Sequence, residues 1–442
     1  MEFINREYEM SYLLESRKLS KNKLFTVAIY GLRRIGKTRL VLEFIKNRDL
    51  YFFVNKDKTS ESLLKEYEEN IRKRGLLTEM EVLRNWEDFF RVLFERHNGI
   101  VVFDEFQNFL FVEKHVFGIL QKYIDLNENR KNLLFIFSGS LTGMLKTLFS
   151  DAKEPLYGRL KRQMRLKPLS LSNIVEMCGQ LNIKDFSTVL RLYSIFGGFP
   201  KYYIVMEDEN LQGNGFEEII EKLFFAENAN LENEVTNILS LEFGKRSGVY
   251  YDILAAVANG CTRISEVASF IGKKETDITR QINELVHYFE FISFERQVIG
   301  NKKLMIINHP LMNFWFKFFY KNLSDYKRRE KWLVGKIKSE VNIYVGKRFE
   351  DICKEFLLEL NKSGKLPFRF EKIGKQWGKF KGEKGKNTYE IDLVAVNEQS
   401  REILFCECKW KDKVNAEKVL EELKEKAKHV QWNRKKEYFA IF

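Results

Sequence analysis

The densest chemistry in the chain lies at residues 31–38, which read Gly-Leu-Arg-Arg-Ile-Gly-Lys-Thr and complete the pattern G-x-x-x-x-G-K-T. Gly31 and Gly36 permit a tight backbone path, so the successive N–H groups of Leu32, Arg33, Arg34 and Ile35 can converge on phosphate oxygens. Lys37 is placed to reach the β and γ phosphates, and the Thr38 hydroxyl to hold Mg²⁺. An apolar strand-like run precedes the loop (residues 25–30) and a helix-like segment follows it (residues 39–44), whose positive N-terminus adds to the anion site. A glycine turn before an ordinary helix would need none of this context. The chemistry expected is binding of a nucleoside triphosphate.

Downstream, Ile100-Val101-Val102-Phe103 is apolar at every position, as a strand covered on both faces must be. It delivers Asp104 and Glu105 at its carboxyl end, where open α/β sheets bind ligands. This reads as a Walker B strand, with Asp104 in the Mg²⁺ shell and Glu105 polarising the attacking water. An acidic pair that merely ends a buried strand is the alternative. A fourth strand ends in Phe137-Ser138-Gly139-Ser140, so Ser138 or Ser140 can sense the γ-phosphate, though ordinary turn chemistry also explains these residues. Arg159 is a candidate arginine finger, acting in cis or on a neighbour's nucleotide, with a surface arginine as the rival reading.

A second set of ionisable residues falls within 343–442. Glu350 lies on an amphipathic helix running to about Leu360, and residues 389–396 and 403–410 read as the arms of a hairpin. Side chains alternate along a strand, so Glu390 shares a face with Asp392, and Glu407 with Lys409, while Ile391, Leu393, Cys406 and Cys408 turn inward. Asp392, Glu407 and Lys409 then converge, with Glu350 close by. Asp392 and Glu407 are the expected metal ligands, and Lys409 would orient the water or stabilise charge on the phosphorane. An acid followed at short interval by E-x-K resembles the metal site of PD-(D/E)xK restriction-type nucleases; a hairpin with cross-strand ion pairs is the alternative. Lys372, Lys375, Lys379, Lys381, Lys384 and Lys386, with Trp377 and interspersed glycines, read as a basic loop, either tracking phosphates or simply loose.

These groups need a scaffold. Strand candidates at Thr26–Tyr30, Leu50–Val54, Ile100–Asp104, Leu133–Ser138 and Met164–Lys167 alternate with helical segments, as a parallel sheet with crossover helices requires. The fold class expected is α/β. A P-loop NTPase sheet occupies residues 1–168 and a helical lid 169–241, broken at Phe196-Gly197-Gly198-Phe199-Pro200. A winged helix follows over 242–312, then a helical connector and a restriction-endonuclease-like α/β domain over 313–442. Within the winged helix, Val249–Asn259, Arg263–Ile271 and Thr276–Tyr288 read as helices, and 291–298 with 304–307 as the wing. Lys273, Lys274, Thr276, Thr279 and Arg280 sit where such a module presents side chains to a duplex; packing against its own ATPase is the other use.

The formal charge of +13 over 442 residues favours an acidic partner such as nucleic acid, unless the lysines serve only solubility. The five cysteines form no C-x-x-C pair and have no histidine at zinc spacing, which points to a reducing cytosol. No signal-peptide pattern or bilayer-length apolar run is present, so the expectation is a cytoplasmic protein without a membrane partner.

In order and spacing these motifs resemble the archaeal ATPase family of P-loop proteins, close to the STAND/AAA+ group, whose members carry a C-terminal restriction-nuclease-like domain. The likeness rests on Phe3 with Asn5-Arg6-Glu7, the loop 31–38, residues 101–105, Ser138-Gly139-Ser140 and Gly158-Arg159. Farther on it includes Gly197-Gly198-Phe199-Pro200, residues 346–350, Glu390-Ile391-Asp392 and Glu407-Cys408-Lys409-Trp410. The resemblance implies ATP as the nucleotide and a molecular-switch style of ATPase. The function expected is Mg²⁺-dependent ATP hydrolysis coupled to a nucleic-acid-acting, nucleolytic C-terminal domain, with DNA favoured. An ATP-dependent regulatory switch with an inactive nuclease-like domain is the alternative, and a scaffold that forms homo-oligomers with ATP is a third. One departure is that the chain stops at Phe442, directly after a strand-like segment, which is expected to shorten the nuclease-like fold.

Overall fold

In the computed structural model, which describes residues 3–140, 142–244, 248–380 and 388–442, the 31–38 loop follows a strand buried at all six positions, β1 (Phe25–Tyr30). With β2 (Leu50–Phe53), β3 (Gly99–Asp104), β4 (Leu133–Gly139) and β5 (Arg162–Arg165) it forms a five-stranded sheet in the order β2-β3-β4-β1-β5. Every pair is parallel. β4 therefore lies between the strand that enters the loop and the strand that ends in Asp104. Successive side chains bury on opposite faces: Val101, Phe103, Phe135 and Phe137 on one, Ile100, Val102, Leu134 and Ile136 on the other. That two-sided burial is why the strands read as unbroken apolar runs. β5 begins earlier than the segment Met164–Lys167 expected for it. It is an edge strand with only Met164 buried, and Leu166 is buried just past its end, so apolar pattern misplaced it.

Five helices follow, Leu171–Gln180, Phe186–Phe196, Pro200–Asp208, Phe216–Phe224 and Glu234–Phe243. Next come helices Gly248–Ala258, Ile264–Ile271 and Glu275–Asn283, then a hairpin of β6 (Ile292–Arg296) and β7 (Lys303–Ile307). The third of these helices widens into a π turn over Glu284–Tyr288, backed against the core helix Thr142–Ser150. A Cβ on Gly143 would sit 2.5 Å from Tyr288 Cα, so only glycine allows that approach. Helix Pro310–Phe318 and the 32-residue helix Lys331–Lys362 continue the same apolar core, which runs from Leu32 and Leu169 to Ile352.

The C-terminal sheet contains β8 (Lys372–Lys379), β9 (Thr388–Asn397), β10 (Glu402–Glu407) and β11 (Lys436–Ile441), in the order β11-β10-β9-β8, with helix Ala416–Lys428 between β10 and β11. β10 and β11 are parallel; the other pairs are antiparallel. Three expectations change here. Lys372, Lys375 and Lys379 lie on a strand, not a loop, because lysines and glycines hide its alternation; Lys381, Lys384 and Lys386 lie outside the described residues. The sheet buries both faces rather than one: Leu393, Ala395 and Cys406 pack under Cys353 and Leu357, while Val394, Val396 and Phe405 pack under Leu423 and Ala427. Finally, β10 ends at Glu407, leaving Lys409 beyond it.

Candidate functional site: a loop-lined cleft and a C-terminal carboxylate cluster

Gly31 lies so close to Leu166 that a Cβ would stand 2.6 Å from its carbonyl oxygen, and Gly36 caps helix Lys37–Phe44 at φ 95°. Both positions need glycine. Lys37 is 6% exposed, and its Nζ donates to the carbonyls of Gly31 (2.8 Å) and Leu32 (3.0 Å). The ammonium is thus folded onto its own loop. Burial lowers its pKa, opposed by the charges of Glu105 and Asp104. Thr38 Oγ1 donates to Asp104 Oδ2 at 2.7 Å, and Tyr51 donates to the same oxygen at 2.8 Å. Burial, reinforced by Asp104, raises the Tyr51 phenol and keeps it a donor.

Glu105 turns into the left-handed region at φ 53°, a backbone cost of about 1–3 kcal/mol that aims its carboxylate at the cleft. Ser140 Oγ donates to it at 2.8 Å, the Gln107 amide donates to the same oxygen at 2.5 Å, and Arg33 stands 3.6 Å away. Of the two candidate serines, Ser140 meets Glu105; the Ser138 hydroxyl is buried without a partner among the described residues.

A cavity of about 510 Å³ opens over the loop, a volume typical of small-ligand sites. Arg33, Arg34, Ile35, Gly36, Lys37 and Thr38 line one side; Ile4, Leu169, Met177, Pro200 and Ile204 supply apolar wall. Sequence reasoning did not place Met177, Pro200, Lys201 or Ile204 at the cleft. The signal for Pro200 was the Gly197-Gly198-Phe199-Pro200 string, read only as a helix break. A Cβ on Gly198 would stand 1.8 Å from Leu169 O, and Leu169 N donates to Gly198 O at 2.8 Å, so this turn is clamped where it carries Pro200 over Gly36. Arg6 also donates to Ile35 O at 3.2 Å.

Arg159 is not brought to the cleft. It pairs with Asp125 at 3.1 Å, and its carbonyl accepts from Thr26 Oγ1 at 2.6 Å, near the start of β1. The loop leaves the other end of β1, about 13 Å along the strand at ~3.3 Å per residue. Action in cis is therefore corrected on distance.

In the C-terminal domain the β9–β10 register pairs Leu393 with Cys406, which sets Asp392 beside Glu407. Asp392 Oδ2 accepts from Cys408 N at 2.8 Å. Glu407 Oε1 accepts from Lys409 (2.7 Å) and from Lys426 (2.9 Å), while Glu407 Oε2 is buried without a partner among the described residues. Lys426 comes from helix Ala416–Lys428, which the sequence reading missed. Glu350 is ion-paired with Lys375 on β8. Burial pushes the Glu350 carboxyl up to about 7 against that lysine, and burial with the neighbouring Glu407 charge raises Asp392. Among the described residues no group of three or more His, Cys, Asp or Glu side chains is arranged to hold a metal ion.

Lys273 and Lys274, just before the third helix of the helix–hairpin unit, and Thr276 and Thr279 on it are exposed, while Arg280 pairs with Glu284 at 2.9 Å. Glu290 ties the unit to the first sheet domain through Lys146 (3.0 Å) and Arg165 (2.7 Å). Its hairpin docks on the C-terminal sheet, where Val298 N donates to Lys375 O at 3.2 Å and Ile299 N to Gln376 Oε1 at 2.9 Å. Among the described residues no helix is long and apolar enough to cross a membrane.

Comparison with known proteins bears on the fold and the family. Residues 3–206 match a family described as an ATPase domain predominantly from Archaea, and residues 315–420 match one described as archaeal and bacterial proteins of unknown function. Uncharacterized protein MJECL04 of Methanocaldococcus jannaschii is 31% identical over 448 residues, covering 99% of this chain and 95% of that protein. Among solved structures, the Walker-type ATPase PABY2304 of Pyrococcus abyssi aligns with a TM-score of 0.57 at 22% identity, over 71% of this chain and 96% of that one. The ORC2 protein of Aeropyrum pernix, in its ADPNP–ADP complexes, aligns at 0.50 and 14% identity, over 76% and 96%. At such identities the two structures speak to fold. The 31–38 loop, the Asp104 strand and Pro200 all fall inside the first matched segment, and Glu350, Asp392 and Glu407 inside the second. The chain belongs to the archaeal family of P-loop ATPases, with the C-terminal domain of that second family joined to it.

Proposed function

We propose that the protein is a Mg²⁺-dependent ATPase whose nucleotide cycle governs a nucleic-acid-acting C-terminal domain. The observation that carries this reading is the 2.7 Å contact between Thr38 Oγ1 and Asp104 Oδ2 beneath a complete phosphate loop. A hydroxyl and a carboxylate oxygen side by side are the hard donor pair that Mg²⁺ takes together with waters and phosphate oxygens. Bound there, the ion supplies charge neutralisation for the phosphates. Lys37 exchanges the carbonyls of Gly31 and Leu32 for phosphate oxygens, and the loop N–H groups hold the rest of the polyphosphate. Glu105, steadied by Ser140, orients the attacking water. The adenine lies against Ile4, Leu169, Met177 and Pro200. Arg159, at the far end of β1, is left to act on a neighbour's nucleotide in a homo-oligomer.

For the C-terminal half, the helix–hairpin unit is read as a winged helix that offers Lys273, Lys274, Thr276 and Thr279 to DNA. Asp392 and Glu407 supply two carboxylates to a divalent cation, and the unpartnered Glu407 Oε2 fits that role. A cation held there would supply a water of lowered pKa, with Lys409 orienting that water and Lys426 balancing charge. A second reading has its own support: Glu407 is ion-paired with two lysines and Glu350 with Lys375, so protein cations already balance these carboxylates. It makes the domain a nucleotide-controlled docking platform.

The test is to follow ATP turnover and nucleic-acid integrity together, with Mg²⁺ or Mn²⁺, with and without DNA or RNA, in wild type and in Asp392→Ala. Mg²⁺-dependent turnover, with DNA cleavage lost in the variant, supports the leading reading. Turnover and DNA binding without cleavage select the second, and absence of turnover under every condition overturns both.

A further inference from the structure

The two arginines of the phosphate loop are both held by the last lid helix, Glu234–Phe243. Arg34 makes a two-point contact with Glu234 on its first turn, at 2.8 and 3.2 Å. Arg33 is ion-paired through Nε with Glu242 on its last turn. The other end of the Arg33 guanidinium stands 3.6 Å from Glu105, so Arg33 is shared between the carboxylate that faces the attacking water and a carboxylate of the lid. The Glu242 side chain is only 4% exposed, and its second oxygen is buried with no partner among the described residues. Its neighbour Leu241 lines the cleft itself.

We propose that Glu242 is a specificity-determining residue of the cleft: it occupies Arg33 as a stand-in anion that a third phosphate displaces and a second phosphate does not. This rests on the nucleotide reading above. A diphosphate is held by Lys37 and the loop N–H groups without approaching the Glu105 end of the cleft. The γ-phosphate comes to that end, where the Arg33 guanidinium stands beside Glu105, and guanidinium pairs tightly with phosphate oxygens. Once Arg33 turns to phosphate, Glu242 becomes a buried carboxylate with no partner, a state that buried ions do not tolerate. The C-terminal end of helix Glu234–Phe243 then leaves the loop, while the Arg34–Glu234 contact holds its first turn as the pivot. The same exchange releases Glu105 from Arg33.

The experiment measures Kd for ADP and for a non-hydrolysable ATP analogue by calorimetry on the full chain. Glu242→Gln keeps the size and removes the charge that competes for Arg33. It is expected to tighten the ATP analogue about tenfold while leaving ADP within about twofold, tenfold being the scale of one charge-assisted contact. Arg33→Ala is expected to bring the two affinities together. A second readout needs no variant: amide exchange over residues 239–243 should rise with the ATP analogue and not with ADP. An unchanged ADP-to-ATP affinity ratio in Glu242→Gln, or equal exchange with both nucleotides, overturns the proposal while leaving nucleotide binding intact. If wild type binds neither nucleotide, the nucleotide reading falls first.

Discussion

The Tyr193 hydroxyl donates to Glu355 Oε2 at 2.6 Å and lies 3.5 Å from the Leu169 carbonyl. Leu169 lines the nucleotide cleft, and Glu355 sits on the long helix Lys331–Lys362 that also carries Glu350 to the C-terminal carboxylates. One buried phenol therefore touches both the wall of the first site and the helix of the second. Burial raises Glu355, and the Tyr193 hydrogen bond counters part of that rise. Packed helices joined by such contacts carry coupling only where both sites bias the same element, which makes the link open to direct test.

Tyr193→Phe removes the hydroxyl and leaves Glu355, a half-buried acceptor, short of a partner, at a cost of about 1 kcal/mol. The melting temperature should fall. Amide exchange along helix Lys331–Lys362 should respond to an ATP analogue in wild type and lose that response in the variant. An identical response in both would remove Tyr193 from any coupling route.

His309 caps helix Pro310–Phe318, where its Nδ1 accepts from Met312 N at 3.4 Å; its ring packs, tilted, with its centroid 4.3 Å from that of Phe199 in the turn that carries Pro200. Burial, with the Arg34 charge adding to it, holds the imidazole down to about 3 from its ordinary 6.5. Its contribution to stability is full above pH 6.5 and is lost as pH falls toward 3, because the unfolded chain takes up the proton first. The slope from this one group should reach at most about 1.4 kcal/mol per pH unit. His309→Asn keeps a capping acceptor and gains no proton. Denaturant unfolding across pH 3–7 should show a shallower loss in the variant, and equal slopes would contradict the assignment.

Gly198→Ala should be among the most damaging single-methyl additions in the chain, since the new carbon would meet the Leu169 carbonyl at 1.8 Å. Overpacking commonly costs about 1–3 kcal/mol, and here the obstacle is backbone. The expected result is a lower melting temperature with weakened nucleotide affinity, because Leu169 and Pro200 shift together. Wild-type values for both would mean that this turn does not position the cleft wall.

Without nucleotide present, Mn²⁺ titration monitored by paramagnetic resonance tests the carboxylate pair. Asp392→Ala or Glu407→Gln should weaken binding by about tenfold or more, in line with the loss of a ligand. Binding that neither variant alters would leave Asp392 and Glu407 as charge partners of Cys408 N and the two lysines.

What the sequence disclosed follows from the range over which each signal acts. The phosphate loop and the Asp104 strand are local patterns whose neighbours in sequence are also neighbours in space, so both were legible. The helix-and-hairpin order over 248–307 was legible for the same reason. Glu242, Met177 and Lys426 reach their sites from helices distant in sequence and carry no motif. Arg159 has a motif-like setting, yet the path of the chain delivers it to the wrong end of β1. β8 was hidden by Gly374, Gly378 and its lysines, of which Lys375 is neutralised by Glu350 and so is no free phosphate contact.

The central claim is that the loop around Lys37 grips a nucleoside triphosphate beside Thr38 and Asp104. Calorimetric titration of wild type and Lys37→Ala with ATP and Mg²⁺ tests it most directly. Wild type should bind saturably, and the variant should lose at least about a hundredfold in affinity, with turnover abolished, the weight of a buried charge-assisted contact. Equal affinity and equal turnover in the two proteins would contradict it.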